Sequence, residues 1–162
     1  MDIPCIRLAA EQDIDHLIPL YTEFHEFHVL GVPDRLRRPD AYDETWLRDA
    51  LHTILSNDDA ALFVVDSGEE LIGLAEVYLR QDEPHSLTVA HRYGHLQSLI
   101  ISTSHRKKGL GKQLVTAAQQ WAKERDATEM QLDIWEFEAG PLPFYEALGY
   151  RTLKRLLVTD LS

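Results

Sequence analysis

One stretch of this chain constrains its fold more than any other. The apolar run Leu99-Ile100-Ile101 leads through Ser102-Thr103-Ser104-His105 into Arg106-Lys107-Lys108-Gly109-Leu110-Gly111-Lys112. From there Leu114, Val115, Ala118, Trp121 and Ala122 recur at helical spacing. A strand therefore runs into a short basic turn, and the turn opens a helix. The first N–H groups of a helix have no intrahelical acceptor, and the helix dipole places partial positive charge beside them. Glycines remove the side chains that would hold an anion off that backbone. Such a turn is a cradle for phosphate, above all for a pyrophosphate.

The rest of the chain supplies elements on either side. Residues 6–8 read as a short strand. A helix from Asp13 to near Gly31 carries Ile14, Leu17, Ile18, Tyr21, Phe24 and His28 on one face. Residues 35–40 form a charged loop, and a second helix presents Trp46, Leu47, Ala50, Leu51, Ile54 and Leu55. Strands over 61–66 and 71–79 flank Ser67-Gly68-Glu69-Glu70, as in a hairpin. A third strand spans 94–102, and the helix over 109–125 follows. A strand over 130–135, a short helix over 141–148 and a last strand over 152–158 complete the chain. The predicted order is β-α-α-β-β-β-α-β-α-β, an α/β (α+β) class, with all 162 residues in a single domain.

Charge is distributed unevenly along these elements. Net charge is −11, yet residues 84–123 contain no Asp or Glu and carry +6, which leaves −17 for the remainder. A basic island in an acidic chain is where an anionic ligand belongs, while the acidic bulk disfavours nucleic acid as a partner. No apolar run approaches the roughly 20 residues that cross a bilayer, so no membrane partner is expected. Met1-Asp2-Ile3-Pro4 has no secretory pattern, and Cys5, the sole cysteine, permits no intrachain disulfide. These features point to the cytoplasm.

Among phosphate-binding turns, a P-loop fails because no glycine stands at the required upstream position and Gln113 follows Lys112 where Ser or Thr is needed. A dinucleotide fingerprint fails because Leu114 occupies the place of its third glycine. Arg-x-x-Gly-x-Gly after an apolar strand remains, and it resembles the acetyl-CoA pyrophosphate loop of the GNAT superfamily. A second block, from Trp135 to Tyr150, is similar to that family's C-terminal signature through Phe144-Tyr145 and Gly149-Tyr150. It departs from the signature at Glu138, where Asn is usual, and at Pro141, where Ala is usual.

The resemblance covers nearly the whole chain and carries specific implications. It implies a central mixed, mostly antiparallel sheet flanked by helices, with strands splayed at the acetyl-CoA site. It implies an N-acetyltransferase that moves the acetyl group of acetyl-CoA directly to a primary amine. Backbone of Leu99, Ile100 and Ile101 would meet the pantetheine arm. Arg106, Lys107, Lys108, Gly109, Leu110, Gly111 and Lys112 would hold the pyrophosphate. Tyr145 matches the family's general acid, although a core aromatic is the alternative at that position. Glu138 would stand near the pantetheine arm or the acceptor. The general base stays open: Gln97 and Ser98 occupy the strand positions where the family often has a carboxylate, so His95, Glu76, Glu136 or a water chain are the candidates.

No metal is expected, since His25-Glu26-Phe27-His28 misses the His-Glu-x-x-His spacing by one residue. The acidic remainder favours a cationic acceptor, a small molecule such as a polyamine or aminoglycoside or a lysine side chain of a peptide, met by the first two helices, residues 35–40 and residues 81–92. A homodimer is expected. A non-catalytic acyl-CoA-binding or sensing module on the same fold is the alternative function, and a plain interaction domain is a third reading.

Overall fold

The computed structural model describes residues 3–162; Met1 and Asp2, part of the N-terminal stretch read for a leader, lie outside them. One five-stranded sheet organises the chain: β1 (Cys5–Leu8), β2 (Ala60–Asp66), β3 (Leu71–Gln81), β4 (Arg92–Ile101) and β5 (Glu129–Gln131), side by side in that order. Neighbours among the first four run antiparallel, and β5 runs parallel to β4. Helices α1 (Ile14–Gly31) and α2 (Glu44–Leu55) pack on one face; α3 (Leu110–Lys123) packs on the other, and α4 (Leu142–Ala147) follows β5.

Strand alternation explains the two cores. Successive side chains leave a strand on opposite faces, so Leu62 and Val64 of β2 meet α1 and α2, while Ala61 and Val65 meet α3. Leu17 of α1, Leu51 of α2, and Leu114 and Ala118 of α3 are fully buried against them. Each burial of a large aliphatic side chain is worth about 1.5–3 kcal/mol. Polar ties close the sheet edge. Arg7 of β1 donates to both carboxylate oxygens of Asp13, at 2.8 and 3.0 Å, and through Nε to Asp66 at 3.0 Å. The Arg7 guanidinium holds the Asp13 carboxyl below the usual carboxylate range.

The middle of the sheet forms the functional opening. In β4, Leu96 pairs with Val77 and Ser98 with Glu76, which leaves Gln97 as an extra residue. A bulge of this kind bends its strand. Pairing with β5 ends just before it, at His95 and Gln131, and the two chains diverge from there. Splayed strands are therefore present. Before the divergence they pack closely, because a Cβ on Gly94 would sit 2.5 Å from Met130 Sδ and 2.8 Å from Ala122 Cβ.

Two expectations need correction. The strand predicted over 130–135 is paired only as Glu129–Gln131, since beyond it β4 has turned away. Its alternation persists nonetheless, with Met130, Leu132 and Ile134 all packed on the α3-side core. The strand predicted over 152–158 is not formed: residues 150–162 have no regular structure. β-propensity identifies residues that suit a pleated surface, but a strand exists only where a neighbour completes its hydrogen bonds.

Candidate active site

A cleft of about 400 Å³ fills the gap where β4 and the chain after β5 part. Residues 97–101 form one wall and residues 132–134 the other; the start of α3 closes one end, and Phe24, Phe27 and Phe144 overhang it. Beyond His95 no described strand pairs with β4 on its β5 side.

The α3 end is built by backbone conformation. Lys107 and Gly109 both adopt left-handed φ, at 65° and 78°, and together they fold the turn onto the helix start. Gly109 caps α3 in a region that glycine enters without strain. The first α3 backbone bond runs from Gln113 N–H to Gly109 C=O at 3.1 Å, so the N–H groups just before Gln113 have no acceptor within the helix. Arg106 is anchored across the loop. Its Nε donates to Ile101 C=O at 3.1 Å, and its guanidinium lies 5.5 Å from the centre of the Phe27 ring. Among the described residues, Lys107, Lys108 and Lys112 have no carboxylate within ion-pair distance. An anion at this end meets open backbone donors and unneutralised cations.

Other groups in and beside the cleft are held by side chains. Tyr145 of α4 is buried, with Phe144 and Tyr150 edge-on at ring separations of 5.0 and 5.5 Å. Burial pushes its phenol well above the ordinary value, and Tyr150 pushes it further in the same direction. The side chain stays protonated at neutral pH and faces the cleft. On the α1 face of the sheet, Glu76 accepts hydrogen bonds from Tyr21 and Tyr78, each at 2.6 Å, so both carboxylate oxygens are occupied. Burial, with the carboxylate beside them, raises both phenols. In the register, His95 stands opposite Tyr78 on this face. Its Nε2 lies 3.2 Å from Asp133 Oδ2, and its buried Nδ1 has no partner among the described residues.

Most of the residues singled out by the sequence meet at this cleft. Leu99, Ile100, Ile101, Arg106, Lys107 and Gly109 line it, and so do Leu110, Gly111, Lys112 and Tyr145. Lys108 and Glu138 do not. Glu138 borders a separate recess with Trp135, Glu136 and Phe137. Glu76 and His95 are buried in the sheet beside the cleft, and Glu136 is exposed outside it. Sequence reasoning missed Asp133 and the aromatic pair Phe24 and Phe27. Asp133 had a usable signal: it is the one acid between Leu132 and Ile134, so it had to face away from their core. No described group of three or more His, Cys, Asp or Glu side chains could hold a metal.

Residues 16–150 match the model of the acetyltransferase (GNAT) family. The chain belongs to that family. Among curated relatives, human N-acetyltransferase 8 is 25% identical over 107 residues, 66% of this GNAT chain and 45% of the relative. The chain thus spans about half the length of the N-acetyltransferase 8 relatives it matches. Aminoglycoside N(6')-acetyltransferase type 1 of Salmonella typhimurium is 26% identical over 119 residues, 74% of this chain and 81% of that one.

Solved structures carry the same fold. A tetramutant of the BH1408 protein from Bacillus halodurans superposes with a TM-score of 0.86 at 22% identity, over 97% of this chain and 99% of that one. The aminoglycoside N-acetyltransferase AAC(6')-Iy in complex with CoA gives 0.76 at 19% identity, over 99% and 96%. The sheet and helices described above are thus those of a GNAT protein. No helix among the described residues is long and apolar enough to cross a membrane.

Proposed function

We propose that this GNAT protein transfers the acetyl group of acetyl-CoA directly to a primary amine of a small-molecule acceptor. The observation that carries this reading is the cleft itself. At the α3 end, open backbone N–H groups and unneutralised lysines meet a diverged strand edge, and a protonated phenol faces the same space. The residues present suit acetyl-CoA, with Gly109, Leu110, Gly111 and Lys112 as the pyrophosphate cradle and Leu99, Ile100 and Ile101 as the edge beside its arm. Lys108 and Arg106 add long-range attraction. Glu138, outside the cleft, acts at most on its rim.

When bound, acetyl-CoA supplies the activated acyl group. The chain's own part is positional and protic. N–H groups near Ile100 and Ile101 on the unpaired β4 edge are donors for negative charge that develops on the acyl oxygen. Tyr145 gives its proton to the departing sulfur, a suitable role for a phenol kept neutral by burial. The reacting amine attacks in its neutral form, and the single proton it then loses goes to the Asp133 carboxylate, which His95 holds. Asp133 reaches the cleft wall, and His95 touches it from within the sheet. Glu76 accepts a hydrogen bond from each of Tyr21 and Tyr78 and orders this face.

A cationic acceptor is part of the proposal, supported by the −17 carried outside residues 84–123. Similarity to aminoglycoside N-acetyltransferases, including one in complex with a bisubstrate analogue of CoA and acetylneamine, supports small amine-bearing acceptors. A cytoplasmic location and a single domain over residues 1–162 belong to the same reading. A second reading, an acyl-CoA-binding or sensing module, is favoured by one observation: both oxygens of Glu76 already accept tyrosine hydrogen bonds. Release of CoA thiol is the deciding assay, measured across a panel of cationic and neutral amines. Rapid amine-dependent release, faster for cations and slowed by salt, supports the enzyme; tight acetyl-CoA binding without release on any amine supports the module.

A further inference from the structure

The most basic part of the chain has a carboxylate built against it. Residues 84–123 carry no Asp or Glu of their own, yet Glu23 of α1 reaches the turn that precedes α3. Its Oε1 accepts from the Thr103 backbone N–H at 2.8 Å and from the Thr103 hydroxyl, and lies 3.9 Å from Arg106 Nη2. Thr103 begins the short 3-10 turn, Thr103–His105, that joins β4 to the anion cradle. The first N–H of a helical turn has no acceptor within it. Ser102, at the capping position, supplies none from its side chain. The acceptor comes instead from a helix 80 residues away in sequence. A negative charge beside an anion cradle weakens its pull on an anion, so what this contact supplies is position.

The helix that provides Glu23 is anchored unevenly. Pro19 lies inside α1, where it removes one backbone donor and loosens the helix. Before it, Ile14, Leu17 and Ile18 are buried in the core; beyond it only Leu20 and Val29 are, and residues 21–28 are half-buried throughout. This second half straddles the cleft. At its far end Gly31 packs so closely on Phe137, in the chain after β5, that a Cβ would sit 2.5 Å from the ring. In its middle, Phe24, Phe27 and His28 roof the cleft. Glu23 holds the near side to the cradle, and Phe27, one turn further on, places its ring 5.5 Å from the Arg106 guanidinium.

We propose that Glu23 is a positioning residue that ties the roof of the cleft to the phosphate cradle, so that the two are ordered as one unit. Its Oε1 caps the turn at Thr103, and its place on α1 carries that order to Phe24 and Phe27. An anion that settles the cradle thereby also settles residues 20–28 over the cleft. Coupling of this kind is reciprocal, so a group held under the roof tightens the cradle by the same factor. The consequence for acetyl-CoA rests on the proposed acetyl transfer, whereas the tie itself does not.

Hydrogen exchange read by mass spectrometry on the full chain, without ligand, is the first test. Glu23→Ala is expected to raise exchange about tenfold or more in peptides covering residues 102–112 and 20–28 together. The β2–β3 hairpin should exchange as in wild type. Alanine is the strongest helix former, so a rise in residues 20–28 does not come from a weakened helix. Glu23→Gln keeps an oxygen for both Thr103 donors and should retain wild-type protection, while Thr103→Val removes only the hydroxyl and should give a smaller rise. Unchanged exchange in Glu23→Ala, a rise confined to α1, a general rise that includes the hairpin, or a Gln variant as labile as the Ala one would each overturn the tie. Acetyl-CoA gives a second readout. It should slow exchange in both segments of the wild type but only in residues 102–112 of Glu23→Ala, with affinity on the order of tenfold weaker. Slowing of both segments in Glu23→Ala would overturn the coupling. A wild type that takes up no acetyl-CoA would defeat the acetyl-transfer reading, and the ligand-free comparison would still decide the tie.

Discussion

The α3 turn and the polar side chains in and beside the cleft are built on opposite plans. The α3 end comes from one continuous segment, residues 99–112, and works mainly through backbone: left-handed turns at Lys107 and Gly109, open N–H groups, and lysines that no described carboxylate neutralises. The second set draws Tyr145 from α4 and Asp133 from the chain after β5, both lining the cleft, with Tyr21 from α1, Glu76 and Tyr78 from β3 and His95 from β4 in the sheet beside it. It works through side chains whose partners are up to 55 residues apart in sequence. A binding function that needs only an anion cradle can be written locally. Proton handling needs groups held against each other, and the sheet does the holding.

Breaking the side-chain set should change chemistry and leave binding alone. Replacing Tyr145 by Phe removes the proton donor and keeps the ring, and the turnover number is expected to fall on the order of 100-fold or more. Acetyl-CoA affinity measured by calorimetry should stay unchanged; a parallel loss of affinity would mean that the two sets are not separable. Asp133→Asn acts less directly. Steady-state kinetics should give a kcat/KM about tenfold lower, and a value equal to wild type would remove the Asp133–His95 pair from proton transfer.

Smaller effects concern stability. Tyr21→Phe leaves one Glu76 oxygen without its donor, which should cost about 1–3 kcal/mol in urea unfolding. The buried phenols of Tyr21, Tyr78 and Tyr145 are raised above their ordinary range chiefly by burial. Their contribution is complete below the ordinary phenol value of about 10 and is lost as pH climbs through the raised values. Wild-type stability should therefore hold to that point and fall beyond it, more gently in Tyr21→Phe. At the other extreme, Asp13 is lowered chiefly by its hydrogen bonds from Arg7. Its contribution is present above the ordinary carboxylate value of about 4 and is lost as pH falls through the lowered one. Urea midpoints should show a shallower acid slope for Asp13→Asn, and an unchanged slope would contradict this.

The same division explains what the sequence disclosed. Glycine placement, basic charge and helical period are local, so the turn, both long helices, the hairpin and the helix after Pro141 could be read directly. The extent of β5 could not, because it ends where a bulge at Gln97 bends the neighbouring strand. Residues 152–158 were legible as strand-forming but not as unpaired, since pairing depends on which edge is free. Asp133 beside His95 is a consequence of parallel register between segments 38 residues apart, and no spacing in either segment announces it. Phe24 and Phe27 reach the cleft only because α1 crosses the sheet there.

The central claim is that the α3 turn binds the pyrophosphate of acetyl-CoA, and titration calorimetry of the wild type beside Gly109→Glu tests it most directly. Glutamate at this left-handed position brings both backbone strain and a negative charge to the cradle. Micromolar binding by the wild type, weakened by salt and abolished in a Gly109→Glu protein that still melts cooperatively, is the predicted result. No heat from the wild type at any accessible concentration, or equal affinity in both proteins, would contradict it.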